Sequence, residues 1–246
     1  MWDDPRRLNA AALLLLLTAL ALLAWGGISW ATRQPVFAIG HVAVDGALVR
    51  VNPAHIGAVI REELRGTFFT MRLADARASL ARVPWVKSVA LRRLWPDRLE
   101  VTITEHEPLA RWNEGALVDV DGEAFNAEFD GELPQLIGPD GSAATVAARF
   151  RDFGAALAPR GLAISELVLS ARGSWRLKTA GNAALTVDLG RSVPEERLSR
   201  FVAYYARTLG ALARAGRRVE YIDLRYRNGF AVRVPGFVEK TTKKAS

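Results

Sequence analysis

The chain has 246 residues, half of them hydrophobic, and contains no cysteine. The lack of cysteine excludes disulfide bonds, thiolate metal sites and a cysteine nucleophile. The formal net charge is +7, but the basic residues are dispersed along the chain and form no nucleic-acid-binding motif, so we expect no nucleic acid partner.

Residues 8–31 predict a transmembrane helix. The segment carries no charged residue and is dominated by Leu and Ala. As a helix it would span roughly 36 Å, which is enough to cross a hydrocarbon core of about 30 Å. A cleaved signal peptide is the alternative, and Ser29-Trp30-Ala31 offers small residues at cleavage positions. The apolar region of a signal peptide is shorter, however, at about 7–15 residues, so we expect an uncleaved anchor.

The basic residues around this helix predict its orientation. Arg6 and Arg7 precede the helix within a short stub (residues 1–7), and only Arg33 follows closely. The flank with more positive charge stays in the cytoplasm. We therefore expect a single-pass type II membrane protein, whose bulk would be periplasmic in a bacterium with two membranes.

Residues 36–106 predict a first domain with the element order β-α-α-β-β. Asn52-Pro53 is typical of a helix start, with Asn as N-cap and Pro at the first helical position, and Gly66 is a suitable helix end. The predicted elements are a strand within 37–44, helices from 53 and over 73–82, and strands over 86–93 and 98–105.

Residues 107–236 predict a second domain, a mainly antiparallel sheet with two helices packed against it. Asp121-Gly122 indicates a hairpin, and residues 144–157 and the segment from Ser192 to Gly216 have helical periodicity. The domain ends in a hairpin with Asn228-Gly229 as its turn, and a basic tail follows over 237–246. The whole chain is thus expected to be α+β.

Several segments of the sequence point to one protein family. In the first domain they are FAIGHVAVDG (37–46) and VPWVKSVALRRLWPDRLEVTITEHEPLARW (83–112). They resemble the POTRA domain of the FtsQ/DivIB family of bacterial division proteins. In the second domain SARGSWRL (170–177), RLSRFVAYY (197–205) and YIDLRYRNGFAV (221–232) resemble its β-domain. The resemblance covers nearly the whole chain after the anchor and leaves out the basic tail.

The resemblance implies a non-catalytic scaffold at the division septum that links early and late division proteins. It implies a complex with FtsB and FtsL, contacts with other divisome membrane proteins, and FtsK as a candidate partner of the POTRA domain. A partner segment would pair with the edge of the last strand by β-augmentation. The implied partner-binding residues are Arg172, Arg225, Tyr226, Asn228, Gly229, Phe230, Ala231, Val232 and Arg233, with the two arginines Arg172 and Arg225 meeting acidic partner residues.

The residues themselves predict no catalytic, cofactor or metal site. His41, His55 and His106 do not share metal-ligand spacing, and Asp119-x-Asp121-Gly122 is expected to be a hairpin turn rather than a calcium loop. No nucleophile motif, phosphate loop or small-molecule substrate site is indicated.

The alternative function is a periplasmic protein that binds or processes peptidoglycan. Four tryptophans, Trp85, Trp95, Trp112 and Trp175, could offer a stacking surface for sugars. For each of them we expect packing in a domain core instead.

Overall fold

A computed structural model describes residues 5–63, 67–181, 184–227 and 229–235. The chain divides into two compact units, Met1–Glu105 and His106–Ser246. Three sequence expectations fall outside the described residues: the helix end at Gly66, the turn residue Asn228 and the basic tail.

Helix α1 (Pro5–Thr32) is the apolar N-terminal helix. Its leucines between Leu13 and Leu23 and both of its tryptophans are exposed, as expected of side chains that face lipid. Among the described residues it is the helix that is long and apolar enough to cross a membrane, over Asn9–Thr32. The structure is thus compatible with a single-pass anchor.

The first unit has the POTRA element order that the sequence predicted. Its elements are β1 (His41–Asp45), α2 (Pro53–Glu63), α3 (Leu73–Leu80), β2 (Val86–Leu94) and β3 (Arg98–Glu105). The described strands form a sheet in the order β1-β3-β2, in which β3 runs parallel to β1 and antiparallel to β2. Ile56 and Leu80 of the helices pack on Leu99 and Val101 of the central strand, and all four are buried.

The second unit contains a sheet of nine described strands, in the order β12-β11-β10-β9-β8-β7-β4-β5-β6. The strands are β4 (Pro108–Trp112), β5 (Ala116–Asp119), β6 (Ala124–Phe125), β7 (Gln135–Ile137), β8 (Ile164–Leu169), β9 (Trp175–Thr179), β10 (Thr186–Gly190), β11 (Tyr221–Asp223) and β12 (Ala231–Arg233). Five of the eight strand pairs are antiparallel, and β4–β7, β7–β8 and β10–β11 are parallel. The expected α+β class, with a mainly antiparallel sheet, is confirmed.

Helices α4 (Ala143–Leu157) and α5 (Pro194–Arg214) cover this sheet. Phe153 of α4 meets Trp175 of β9 edge-on at 6.0 Å between ring centroids, and Phe201 of α5 is fully buried in the same core. Trp112 also lies in this core, so core packing is confirmed for Trp112 and Trp175.

The other two tryptophans lie in the POTRA unit and behave differently. Trp85 is partly buried against the POTRA core. Trp95 is 75% exposed, so the expectation of core packing is wrong for Trp95. Its position in the turn between β2 and β3 places it beyond the area that α2 and α3 cover.

The C-terminal hairpin is wider than the sequence predicted. Tyr221 pairs with Arg233 and Asp223 pairs with Ala231, which centres the connection on Arg227. A two-residue Asn228-Gly229 turn would instead pair residues nearer to that turn, so the predicted tight turn is wrong. The last strand is correspondingly short, Ala231–Arg233.

Candidate partner-binding edge

Strand β12 is an edge strand of the nine-stranded sheet. It pairs with β11 on one side, and no other described strand lies on its outer side. Ala231 and Arg233 are exposed and Val232 is half-buried. The described part of the chain therefore presents a strand of three residues with one row of backbone groups open to a partner.

One hydrogen bond shows which backbone groups of β12 point outward. The Glu220 N–H donates to the Arg233 carbonyl oxygen at 3.2 Å, so the Arg233 carbonyl faces β11. In an antiparallel strand the N–H and C=O of one residue point to the same side, and those of the next residue point to the other. Ala231 and Arg233 therefore bond inward, and the N–H and C=O of Val232 point toward the open edge.

A cleft of about 550 Å³ runs along β12. The end of α5 contributes Leu212, and the two hairpin strands contribute Tyr221, Asp223 and residues 231–234. Burial and the negative charge of the adjacent Asp188 raise the pKa of Tyr221, which keeps its phenol neutral. The cleft places both apolar and charged side chains, among them Arg217 and Arg233, next to the free backbone edge, a combination suited to an extended peptide.

Arg225 is held in place by Asp223. Its Nε and Nη2 donate to the two oxygens of the buried Asp223 carboxylate at 2.9 and 2.6 Å, and its backbone N–H donates to Oδ1 at 3.0 Å. The hydrogen bonds from Arg225 lower the pKa of Asp223, and the carboxylate in turn raises the pKa of Arg225. This local turn ends β11 at Asp223, which explains why the connection is wider than a two-residue turn.

The fold brings Arg172 and Arg225 to the same end of the sheet. Arg172 lies in the turn before β9, and Arg191 follows β10 and donates from Nη1 to the Arg172 carbonyl oxygen at 3.5 Å. The adjacent Gly190 lies directly against the Arg225 side chain. The side chains of Arg172, Arg191 and Arg225 are all exposed, so this end of the sheet carries a row of positive charge.

Sequence reasoning missed Arg191 and two further arginines of this region. Arg197 donates to the Leu189 carbonyl oxygen at 2.6 Å, and Arg200 donates to the Arg227 carbonyl oxygen. Both lie on the first turns of α5. Their spacing could not reveal that α5 begins next to the hairpin, because that proximity depends on the parallel β10–β11 pairing.

Tyr226 and Phe230, which lie beside the open edge of β12, have different environments. Tyr226 is 58% exposed, so its side chain does not pack in the core and is available to a partner. Phe230 is partly buried and meets Phe201 of α5 edge-on at 6.0 Å, so it anchors β12 to the core. Between them Gly229 lines a shallow depression with Tyr226 and Phe230, which gives an incoming side chain room beside the exposed phenol.

One group of possible metal ligands exists within the described residues: His106, Asp119 and Glu123 lie within 4.8 Å of one another. Asp119 is buried, and its Oδ1 already accepts the backbone N–H groups of Asp121 and Glu123 at 3.0 and 2.8 Å. Its Oδ2 lies 2.9 Å from His106 Nδ1. These bonds hold the Asp121-Gly122 turn, as expected for a hairpin. The absence of a metal stays a prediction, and this group is the place to test it.

Comparison with known proteins supplies the family. Residues 37–106 match the model of the FtsQ-type POTRA domain, and residues 110–225 match that of the C-terminal domain of the cell division protein FtsQ/DivIB. The chain is 40% identical to the cell division protein FtsQ of Burkholderia pseudomallei, over 99% of both chains. It is 32% identical to FtsQ of Neisseria gonorrhoeae over 95% of both chains.

The chain belongs to the FtsQ/DivIB family. FtsQ-family proteins are components of the divisome and work in protein complexes, so the chain is a cell division protein. The C-terminal family model ends at residue 225, within the row of basic residues. The Burkholderia FtsQ aligns over 99% of this chain, so the similarity extends to the hairpin and β12.

Proposed function

We propose that the chain is a membrane-anchored, non-catalytic scaffold of the divisome that binds FtsB and FtsL through the open edge of β12. It would link early and late division proteins at the septum. The outward N–H and C=O of Val232, next to the cleft, carry this proposal. They offer a partner strand its backbone hydrogen bonds.

The charges around the edge support a partner with acidic residues. The end of the sheet at which β12 begins carries three exposed positive side chains, Arg172, Arg191 and Arg225. The buried carboxylate of Asp223 is already paired with Arg225. A partner strand running along β12 toward this end would therefore meet positive charge, which favours acidic side chains near the end of its segment and fixes its register.

The N-terminal helix supports the location. We propose that α1 spans the inner membrane with Arg6 and Arg7 in the cytoplasm and the two folded units in the periplasm. FtsK is a candidate partner for the POTRA unit.

The proposal is tested by co-purification of the full-length protein from its native membrane. We expect FtsB and FtsL to co-purify with the parent protein and to be lost from the double variant Arg172→Glu/Arg191→Glu, which keeps the ion pair of Arg225 with the buried Asp223. Arg151→Glu is the matched control, because Arg151 is an exposed arginine of α4 outside the charged row. Equal recovery of FtsB and FtsL with all three proteins would contradict the proposed surface, and their absence from the parent preparation would contradict the proposed complex.

A further inference from the structure

Trp95 is a large aromatic side chain that the fold leaves exposed. It belongs to the Arg-x-Trp-Pro-Asp motif between β2 and β3. It is not part of the proposed binding edge of the second unit. A single exposed hydrophobic residue is common, but several that share one part of a domain surface indicate a binding surface. The position of Trp95 in the POTRA sheet indicates what binds there.

The turn that holds Trp95 lies at the end of the sheet where the chain arrives from α1. Strands β1 and β3 are parallel, so their first residues lie at the same end. Asp97 follows Trp95 by two residues, and its carbonyl oxygen accepts the N–H groups of Gly40 and His41 at 3.0 and 3.3 Å. Seven residues separate Gly40 from Thr32, the last residue of α1.

A second loop is fixed beside the end of α1. The Thr67 hydroxyl donates to the carbonyl oxygen of Thr32 at 2.6 Å, and the Phe68 N–H donates to the Phe37 carbonyl oxygen at 2.7 Å. The next residue, Phe69, is 48% exposed and meets Phe37 edge-on at 5.2 Å. An exposed phenylalanine is therefore held next to the last turn of the apolar helix.

Val36, Phe69 and Trp95 share this end of the POTRA unit and form what we call the apolar rim. Val36 is 82% exposed and lies in the connection between α1 and β1. Two arginines, Arg33 and Arg98, are exposed in the same region. Aromatic side chains next to cations are typical of protein surfaces at the headgroup level of a bilayer, where indole rings are favoured and arginine can meet phosphate.

We propose that the apolar rim docks the POTRA unit onto the membrane leaflet at the C-terminal end of α1. This inference rests on the anchoring by α1 proposed above. A phospholipid surface is favoured because the rim is continuous with the apolar helix and its other members, Val36 and Phe69, carry no hydrogen-bonding group. Docking holds the first folded unit close to the bilayer and limits the directions in which the rest of the chain extends.

Single-cysteine labelling tests the inference directly, because the chain has no cysteine of its own. The full-length variants Phe69→Cys and Trp95→Cys are labelled with a nitroxide and reconstituted in vesicles of phosphatidylethanolamine and phosphatidylglycerol. Collision with oxygen, which concentrates in lipid, is compared with collision with a water-soluble nickel chelate. Val49→Cys is the matched control: Val49 is 79% exposed, and its N–H bonds to Glu105 at the opposite end of β3.

We expect labels at positions 69 and 95 to be several-fold more accessible to oxygen relative to nickel than the label at position 49. We also expect Trp95→Ser to reduce this ratio for the label at position 69. A Leu16→Cys label in the middle of α1 reports on the anchor itself. If that label is exposed to nickel, the anchoring is wrong and the docking with it. If it lies in lipid while positions 69 and 95 match position 49, the docking alone is wrong. Immobilisation of the label at position 95 by added muropeptides, with no contact with lipid, would also overturn the inference in favour of a sugar surface.

Discussion

Two adjacent prolines in β12 should have opposite effects, because the N–H groups of Ala231 and Val232 point to opposite sides. Ala231→Pro removes an N–H that faces β11, whereas Val232→Pro removes an N–H that faces the open edge. Ala231→Pro should therefore destabilise the domain. Val232→Pro should leave the domain folded and weaken partner binding.

The expected magnitudes follow from the size of the strand. β12 has three residues, so a lost inward bond is a large part of its pairing with β11, and we expect Ala231→Pro to cost about 1–3 kcal/mol of unfolding free energy. Val232 is the residue of β12 with both backbone groups facing outward. Loss of its N–H, together with the bulk of the ring, should cost about 2 kcal/mol of binding, or roughly thirty-fold in Kd.

The assay is a titration of each full-length variant in detergent with a soluble FtsB–FtsL ectodomain, alongside thermal unfolding. Val232→Ala is the matched control, because it shortens the same side chain and keeps the N–H. We expect Val232→Ala to bind more tightly than Val232→Pro at similar stability. If both proline variants fold and bind like the parent, or if Val232→Pro is the one that unfolds, the deduced direction of the N–H groups is wrong.

Further experiments test Tyr226, the charged contact of Arg225, the buried ion pair of Asp223 and the expected absence of a metal. Tyr226→Ala should cost about 2 kcal/mol of binding without loss of stability, because the side chain is exposed; unchanged affinity in the same titration would remove it from the site. Arg225→Glu should weaken binding more at low than at high salt, since the contact is screened, and an equal loss at both would argue against a charge contact. Asp223 has a lowered pKa, so its charge stabilises the fold above the unfolded pKa of about 3.9, and this contribution is lost as pH falls through the lower folded pKa. Asp223→Asn should therefore lower the Tm at pH 7, with the difference from the parent shrinking as pH falls below about 4; a constant difference would refute the ion pair's role. Elemental analysis of the parent protein should find no stoichiometric metal, and one equivalent that His106→Ala abolishes would show that the group around His106 is a metal site.

Most of the fold follows from local patterns in the sequence. The start of α2 at Pro53, the helical spacing of α4 and the alternation in β3 each depend on neighbouring residues, and each was predicted within a few positions. β4 was missed, because Pro108 at its start and the short length of the segment hide its alternation. Its place beside β7 depends on a parallel pairing that only tertiary structure supplies.

The binding edge was predicted less completely, for a physical reason. Asn228-Gly229 is a strong local signal for a tight turn, but the side chain of Arg225 bonds to Asp223, and β11 ends at Asp223, five positions before Asn228. A charged hydrogen bond to a buried carboxylate is stronger than a turn preference. The sequence alone could not show that the Arg225–Asp223 hydrogen bonds outweigh the turn preference of Asn228-Gly229, because their strength depends on the burial of Asp223 beside β10.

The same features explain why this edge can stay open in the absence of a partner. An unpaired strand invites pairing with a second copy of the chain, and short length and charge are the usual protections. β12 has three residues, and the guanidinium of Arg233 lies over the ring of Tyr221 at 5.5 Å, within the cleft that a partner strand would enter. Two copies whose β12 strands paired in parallel would also bring their rows of Arg172, Arg191 and Arg225 close together. Parallel self-pairing is therefore opposed by like charge, while an acidic partner gains from the same groups, so the arginines favour an acidic partner over a second copy in that orientation.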